Sequence, residues 1–193
     1  TQIDVKFSDG VAVDASTIGQ SDFDLSTPSD TTDSTPVLSS VNTGSDGTSV
    51  TATLTLSSAV DAQDVDVSLT GSVADTSGNT LSSGSGTAND MDGVPPPQPS
   101  LTSVTPKSGG EIEVSFSDVD DASEITYELQ RVPTGNGFSS PTVVDTRTDA
   151  AGTDTNGDYT ISDTTTSDGT AYDYRVVATD TPGGKTASLT ATE

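Results

Sequence analysis

Apolar residues recur at every second position in short runs along this chain. In "IDVKF", Ile3, Val5 and Phe7 share one face, whereas Asp4 and Lys6 lie on the other. A period of two is typical of a β-strand with one buried face, and no segment keeps a helical apolar period over three turns. The pattern therefore predicts an all-β protein. Comparable runs are "DFDL", "SVTATLTL", "DVDVSL", "EIEVSF", "ITYEL", "DYTIS", "AYDYRVVAT" and "TASLTA".

A proline-rich segment, "NDMDGVPPPQPS", divides the chain into two halves. Three consecutive prolines favour an extended, semi-rigid spacer. We therefore predict a β-sandwich domain over 1–88, a linker over 89–100 and a second β-sandwich over 101–193. The one segment that suggests a short helical turn is "DASTIGQSDF", where Asp14 or Ser16 would cap it.

The charge is strongly one-sided: 30 acidic residues face 6 basic ones, and the formal net charge is −24. Such repulsion strains a compact state in dilute buffer, but in molar salt the Debye length falls to roughly 3 Å and the repulsion is screened. The composition therefore favours a protein that works in concentrated salt. Nucleic acid is excluded as a partner because no basic patch is present, and an anionic membrane surface would repel the chain.

Several residue types that carry chemistry are missing from the sequence. The chain has no histidine, cysteine or tryptophan. It therefore lacks the commonest general base, a thiol nucleophile, a disulfide framework and the usual sugar-stacking side chain. No apolar run approaches the ~20 residues of a membrane-spanning helix. We predict that the protein is not an enzyme and does not span a membrane.

Calcium is the only cofactor that the sequence suggests. In "DTNGD", Asp154, Asn156 and Asp158 occupy alternate positions, as at the start of a calcium-binding loop. The match is partial, because Tyr159 stands where such a loop has glycine and no glutamate follows at the twelfth position. A solvated turn is the simpler interpretation, because Asn-Gly is a strong turn signal.

A second candidate calcium site lies at the predicted domain junction. Asp90 and Asp92 come just before the three prolines. Together with loop carboxylates such as Asp75 and Asp180, they would supply oxygen ligands for Ca²⁺. The alternative is that the prolines alone stiffen the junction and the aspartates are solvated; we favour it because only two carboxylates are local and Ca²⁺ takes six to eight oxygens.

The second half resembles a fibronectin type III domain over nearly its full length. The stretches that carry the resemblance are "PPPQPSLTSV", "EIEVSF", "ITYELQRV" and "GTAYDYRVVATDTPGG". The resemblance implies that Tyr172 is the corner tyrosine, whose hydroxyl ties a crossing loop to the sheet. Phe116 stands where the family usually has a tryptophan, a departure that weakens the core and not the fold.

The first half resembles the immunoglobulin-like repeats of large surface proteins, through "FSDGVAVDASTIGQSDFDL", "SVTATLTLSSAV" and "DVDVSLTGSVADTSGNTL". With its acidity, the whole chain looks like two modules of a haloarchaeal surface or virion protein. The resemblance implies a structural or adhesive role outside the cell, as a rigid spacer or a protein-interaction domain within a longer polypeptide.

Two alternatives stay open at this point: a turret, decoration or tail-fibre protein of a haloarchaeal virus, and an accessory module of a secreted hydrolase. We expect the partners to be other protein copies or surface proteins, which would pair through uncovered strand edges. A glycan is the alternative partner. Separately, the polar stretches "TTDSTP" and "DTTTSD" would accept O-linked sugar, but a polar loop is the simpler interpretation of both.

Overall fold

A computed structural model describes residues 1–27, 35–149, 157–181 and 186–192. The chain divides into unit 1, Thr1–Gly93, and unit 2, Val94–Glu193. Within the described ranges, the only helical segments are two 3₁₀ turns, Ala15–Thr17 and Gln20–Asp22. The prediction of an all-β protein is therefore confirmed.

In its described residues, unit 1 is a sandwich of two three-stranded antiparallel sheets, with an additional two-stranded hairpin. One sheet has the order β1-β4-β3 and the other the order β2-β5-β8, while β6 and β7 form the hairpin. The strands are β1 Gln2–Ser8, β2 Phe23–Ser26, β3 Leu38–Asp46, β4 Ser49–Leu56, β5 Val65–Leu69, β6 Val73–Ala74, β7 Thr80–Leu81 and β8 Gly84–Ala88.

The alternating pattern places one face of each inner strand in the core of unit 1. Along β4, every second side chain from Val50 to Leu56 is buried, and the threonines between them are half-buried on the other face. Strand β1 pairs with β4 so that Ile3 lies opposite Leu54. The rings of Phe7 on β1 and Phe23 on β2 lie 6.2 Å apart between their centroids and join the two sheets.

The segment before β2 contains the predicted helical turn. Asp14 caps the first 3₁₀ turn, because its Oδ1 accepts a hydrogen bond from the Ser16 backbone N–H at 3.0 Å. In the second turn, Asp22 Oδ2 accepts a hydrogen bond from the Gly19 N–H at 2.6 Å. Both turns use short acidic side chains to satisfy backbone donors at a helical start.

In its described residues, unit 2 has seven strands in two antiparallel sheets. The three-stranded sheet has the order β13-β10-β9 and the four-stranded sheet the order β12-β11-β14-β15. The strands are β9 Leu101–Pro106, β10 Ile112–Phe116, β11 Glu124–Pro133, β12 Thr142–Asp149, β13 Tyr159–Asp163, β14 Tyr172–Thr181 and β15 Thr186–Thr192. Both sheets contribute to one apolar cluster, and this unit too is a β-sandwich.

Aromatic residues fill the middle of the unit 2 core. The rings of Phe116, Tyr127 and Tyr159 lie 5.4–5.5 Å apart between their centroids, an ordinary spacing for tilted aromatic pairs. Phe116 and Tyr127 belong to opposite sheets and are fully buried. Phe116, where the sequence resemblance implies a tryptophan, packs against both tyrosine rings.

Candidate functional site

The residues of the predicted junction site lie at the end of unit 1. Asp90 is exposed and has a positive φ of 57°. Asp92 is buried, and its backbone forms a parallel bridge with Val60. Carboxylate oxygens of Asp61 and Asp92 lie within 4.8 Å of each other. The sequence-based calcium site at Asp90 and Asp92 stays a prediction.

The two loop carboxylates that were predicted to assist the junction have their own surroundings. Asp75 accepts hydrogen bonds within its own turn, from the N–H groups of Ser77 and Asn79 and from the Asn79 side chain. These bonds, led by the one from the Asn79 side chain, lower the pKa of Asp75. Asp180 is buried on β14, opposite Ile125 of β11.

The other predicted calcium loop is only partly described. Asp154 and Asn156 lie outside the described residues, whereas Asp158 is exposed just before β13. The calcium interpretation of "DTNGD" therefore stays a prediction as well.

Tyr172 joins the start of β14 to the segment that precedes it. The ring is buried, and the hydroxyl accepts a hydrogen bond from the Ser167 backbone N–H at 3.2 Å. The guanidinium carbon of Arg131 lies 4.6 Å from the ring centroid, within cation–π range. The Ser167 bond ties the segment before β14 to the start of that strand, and the corner-tyrosine role of Tyr172 stays a prediction.

A buried ion pair lies beside Tyr172 and connects the two sheets of unit 2. Arg131 Nη1 on β11 is 2.6 Å from Asp163 Oδ2 on β13, and the Asp163 side chain is fully buried. The Tyr174 hydroxyl donates to the same oxygen, and Thr165 donates twice to Oδ1. Burial alone would raise the pKa of Asp163, but the hydrogen bonds from Thr165 and Arg131 outweigh it and lower that pKa.

A half-buried carboxylate, Asp118, lies after β10, beyond Phe116. Asp118 Oδ1 accepts hydrogen bonds from the Tyr127 hydroxyl at 2.8 Å and from the Val119 N–H at 3.0 Å. Burial raises the pKa of Asp118, and the nearby Asp149 carboxylate raises it further, although the Tyr127 hydrogen bond opposes the shift. The charged form of Asp118 is therefore disfavoured in the folded protein.

An open groove in unit 1 is the site with the clearest potential for binding. A cleft of about 550 Å³ runs along β1 and β8, and its lining includes Phe23, Val67 and Leu69. Gly84 and Gly86 of β8 pair with Leu69 and Val67, so they occupy the same sheet face as those core residues. A Cβ atom at either glycine would meet no atom within 4 Å. The groove is open because the inner face of β8 lacks side chains there.

The groove borders strand edges that have no neighbour. Within the part of the chain that the structure describes, β1 pairs only with β4, and β8 pairs only with β5. An unpaired edge presents backbone N–H and C=O groups that can extend the sheet with another strand. The sequence pattern did not reveal this site, because strand pairing is non-local and β8 has no apolar alternation. The run of glycines in "SSGSGTA" is the one available signal, since glycine within a strand often marks close approach of another backbone.

Among the described residues, no helix is both long and apolar enough to cross a lipid bilayer.

No family model matches the sequence, and no curated protein matches it. Solved structures that this chain partly matches include a chain from a cytokine receptor complex, at 12% identity and a TM-score of 0.40, with 88% of each chain covered. The FN1–FN3 domains of chicken CNTN1 are 16% identical with a TM-score of 0.42; all of this chain and 60% of that chain are covered. At these identities and TM-scores, the likeness carries no conclusion about function.

Proposed function

We propose that this chain is a non-catalytic protein-interaction module of an extracellular surface protein from a salt-rich environment. The observation that carries the proposal is the open edge of β1 beside the unfilled groove. An open edge is a template for pairing with another chain, and soluble sheets usually protect it with charged side chains, proline, bulges or a covering loop. Strand β1 has no proline and pairs with β4 in an unbroken register, and its two charged residues, Asp4 and Lys6, have opposite signs. Addition of a strand to an open edge is also a common way for proteins to recognise each other.

The charge distribution supports the salt-rich surroundings. Residues 1–93 contain fourteen aspartates, no glutamate and one lysine. In dilute buffer, the repulsion among these carboxylates opposes both folding and contact with another acidic protein. Molar salt shortens the range of that repulsion to roughly 3 Å, so that short-range apolar and hydrogen-bonded contacts decide the outcome. The same interaction role suits a cell-surface protein or a virion protein.

Two measurements on the purified chain test this function. Sedimentation velocity at rising protein concentration should show association in multimolar KCl and little in dilute buffer. The urea midpoint of unfolding should also rise with KCl, and rise more than in sucrose, which is excluded from protein surfaces without screening charge. A monodisperse monomer at every concentration and salt level would contradict the interaction role. A midpoint that stays flat or falls with KCl would contradict the salt-rich surroundings.

A further inference from the structure

The direction of the backbone groups along β1 follows from one hydrogen bond at its end. The Leu56 N–H donates to the Thr1 carbonyl at 3.1 Å. In an antiparallel pair, hydrogen-bonded and non-hydrogen-bonded positions alternate, so Ile3, Val5 and Phe7 direct their backbone groups at β4. The even-numbered residues between them direct their N–H and C=O groups at the open edge.

The exposed side chains of this edge carry opposite charges two positions apart. Asp4 and Lys6 are exposed on the outer face of β1. Thr53 of β4 donates a hydrogen bond to Asp4 Oδ1 at 2.6 Å, and this bond keeps the Asp4 carboxylate on that face. Lys6 is the single basic residue of 1–93. The only positive side chain of unit 1 thus lies on its open edge, beside an aspartate that has the same orientation.

We propose that two copies of this chain pair through β1, antiparallel and related by a two-fold axis at Val5. Asp4 of each copy then lies opposite Lys6 of the other, which gives two equivalent cross-strand ion pairs. This arrangement is isologous, since the same patch serves both copies. The inference rests on the proposed interaction role and identifies the partner of that site as a second copy of the chain.

Charge and hydrogen bonding together select this register. In the dimer, each even-numbered residue of one β1 strand must lie opposite an even-numbered residue of the other. Only these residues direct their backbone N–H and C=O groups at the open edge. A shift that places Asp4 opposite Asp4 of the second copy brings like charges together, and the shift in the other direction places Lys6 opposite Lys6. Like charges directly opposite each other destabilise a strand pair, whereas opposite charges stabilise it. Among these three registers, only the one centred at Val5 forms the two ion pairs.

The inner face of β1 also suits this pairing. In the same register, Ile3 of one copy lies opposite Phe7 of the other, and the two Val5 side chains face each other. Val5 is only half-buried in the single chain, so it has apolar surface to cover. Apolar cross-strand pairs of this kind stabilise a sheet. Gly84 and Gly86 of β8 have no side chain that would cover the β1 edge. Pairing of the two β1 strands would produce a six-stranded sheet with the order β3-β4-β1-β1-β4-β3.

Salt controls this pairing in a definite direction. Each copy has a net charge of −24, so long-range repulsion opposes association in dilute buffer. Concentrated salt screens that repulsion, whereas the Asp4–Lys6 pairs lie within contact distance and are screened less. The dimer should therefore form as KCl rises.

Charge-reversal variants test the pairing, with sedimentation equilibrium as the readout, at the lowest KCl concentration at which the original chain dimerises, because exposed ion pairs weaken as salt rises. Asp4→Lys places lysine opposite lysine, and Lys6→Asp places aspartate opposite aspartate. We expect each variant to raise the dimer dissociation constant by about tenfold or more, because two attractive contacts become two repulsive ones. The double variant Asp4→Lys with Lys6→Asp keeps the net charge and exchanges the two partners, so it should dimerise like the original chain. Far-UV circular dichroism checks that every variant remains folded.

Mixing the two single variants provides the strongest arm of the experiment. Asp4→Lys and Lys6→Asp should each be mainly monomeric alone, but together they should form a heterodimer with lysines on one strand and aspartates on the other. Association that persists unchanged in both single variants would overturn the β1 pairing while leaving the interaction role intact. A single-variant loss that neither the double variant nor the mixture restores would also overturn the pairing. Absence of association in the original chain would contradict the interaction role itself.

Discussion

Gly86 lies opposite Val67 in the β5–β8 pairing, and a Cβ atom on Gly86 would meet no atom within 4 Å. The inner face of the edge strand is thus empty at a position where the neighbouring strand buries an apolar side chain. This vacancy keeps the groove open and leaves the flank of β1 accessible.

We expect Gly86→Val to stabilise unit 1 by roughly 0.5–1 kcal/mol, because it fills apolar space and reduces the freedom of the unfolded chain. Gly47→Val is the matched control: its Cβ would also meet no atom, but the φ of Gly47 is +62°, where a β-branched residue is strained. Urea unfolding in concentrated KCl measures both. A Gly86→Val chain that is no more stable than the original would show that this space cannot accept a side chain.

The sequence pattern predicts β4 well and β8 not at all, for a physical reason. In β4, period-two alternation reflects burial of one face, so Val50 and Leu54 identify the core directly. In β8, the inward positions are Gly84 and Gly86, which leave no apolar period to detect. Asp4 and Lys6 are visible from the sequence as the outer face of a strand. Their place on an open edge depends on which strands pair, which is a non-local property.

Breaking the buried ion pair of unit 2 should be costly. Arg131→Met leaves the fully buried Asp163 carboxylate without its counter-charge, and we expect a loss of roughly 3–5 kcal/mol of unfolding free energy. Arg147→Met is the control, because the Arg147–Asp145 pair is exposed and should contribute about 0–1 kcal/mol. Equal, small effects of the two substitutions on the urea midpoint would contradict the role of Arg131 in holding the sheets together.

Asp118→Asn should stabilise unit 2 near neutral pH. Because the pKa of Asp118 is raised in the folded state, its favourable contribution is present at low pH and is lost as pH rises through the folded-state pKa. Burial and the nearby Asp149 carboxylate oppose ionisation of the wild-type Asp118 side chain, whereas asparagine is neutral and still accepts from the Tyr127 hydroxyl. The increase in unfolding free energy caused by Asp118→Asn should disappear at about pH 3, where most ordinary aspartates are protonated.

Asp120→Asn supplies the control for this pH experiment, since Asp120 is exposed and the substitution removes the same charge. An equal increase in unfolding free energy in Asp120→Asn would assign the effect to net charge and not to the half-buried surroundings of Asp118. If Asp118→Asn raises the unfolding free energy equally at neutral pH and at about pH 3, the raised pKa of Asp118 is not the cause of the effect.

Tyr172→Phe should destabilise unit 2 by about the net value of one hydrogen bond, because it removes the hydroxyl that accepts from Ser167 and keeps the ring against Arg131. The loss should be confined to unit 2 when each unit is followed by its own NMR resonances. Unchanged stability of unit 2 would mean that the Ser167 contact contributes nothing to holding the loop.

Amide hydrogen exchange along β1 tests the central claim, that this strand edge is the interaction site, most directly. The amides of Ile3, Val5 and Phe7 bond to β4 and should exchange slowly at every protein concentration, whereas those of Asp4 and Lys6 face the open edge and should exchange fast in dilute samples. In multimolar KCl, raising the concentration until the chain dimerises should slow exchange at Asp4 and Lys6. Exchange at these two amides that stays fast while the chain dimerises would show that the copies meet elsewhere.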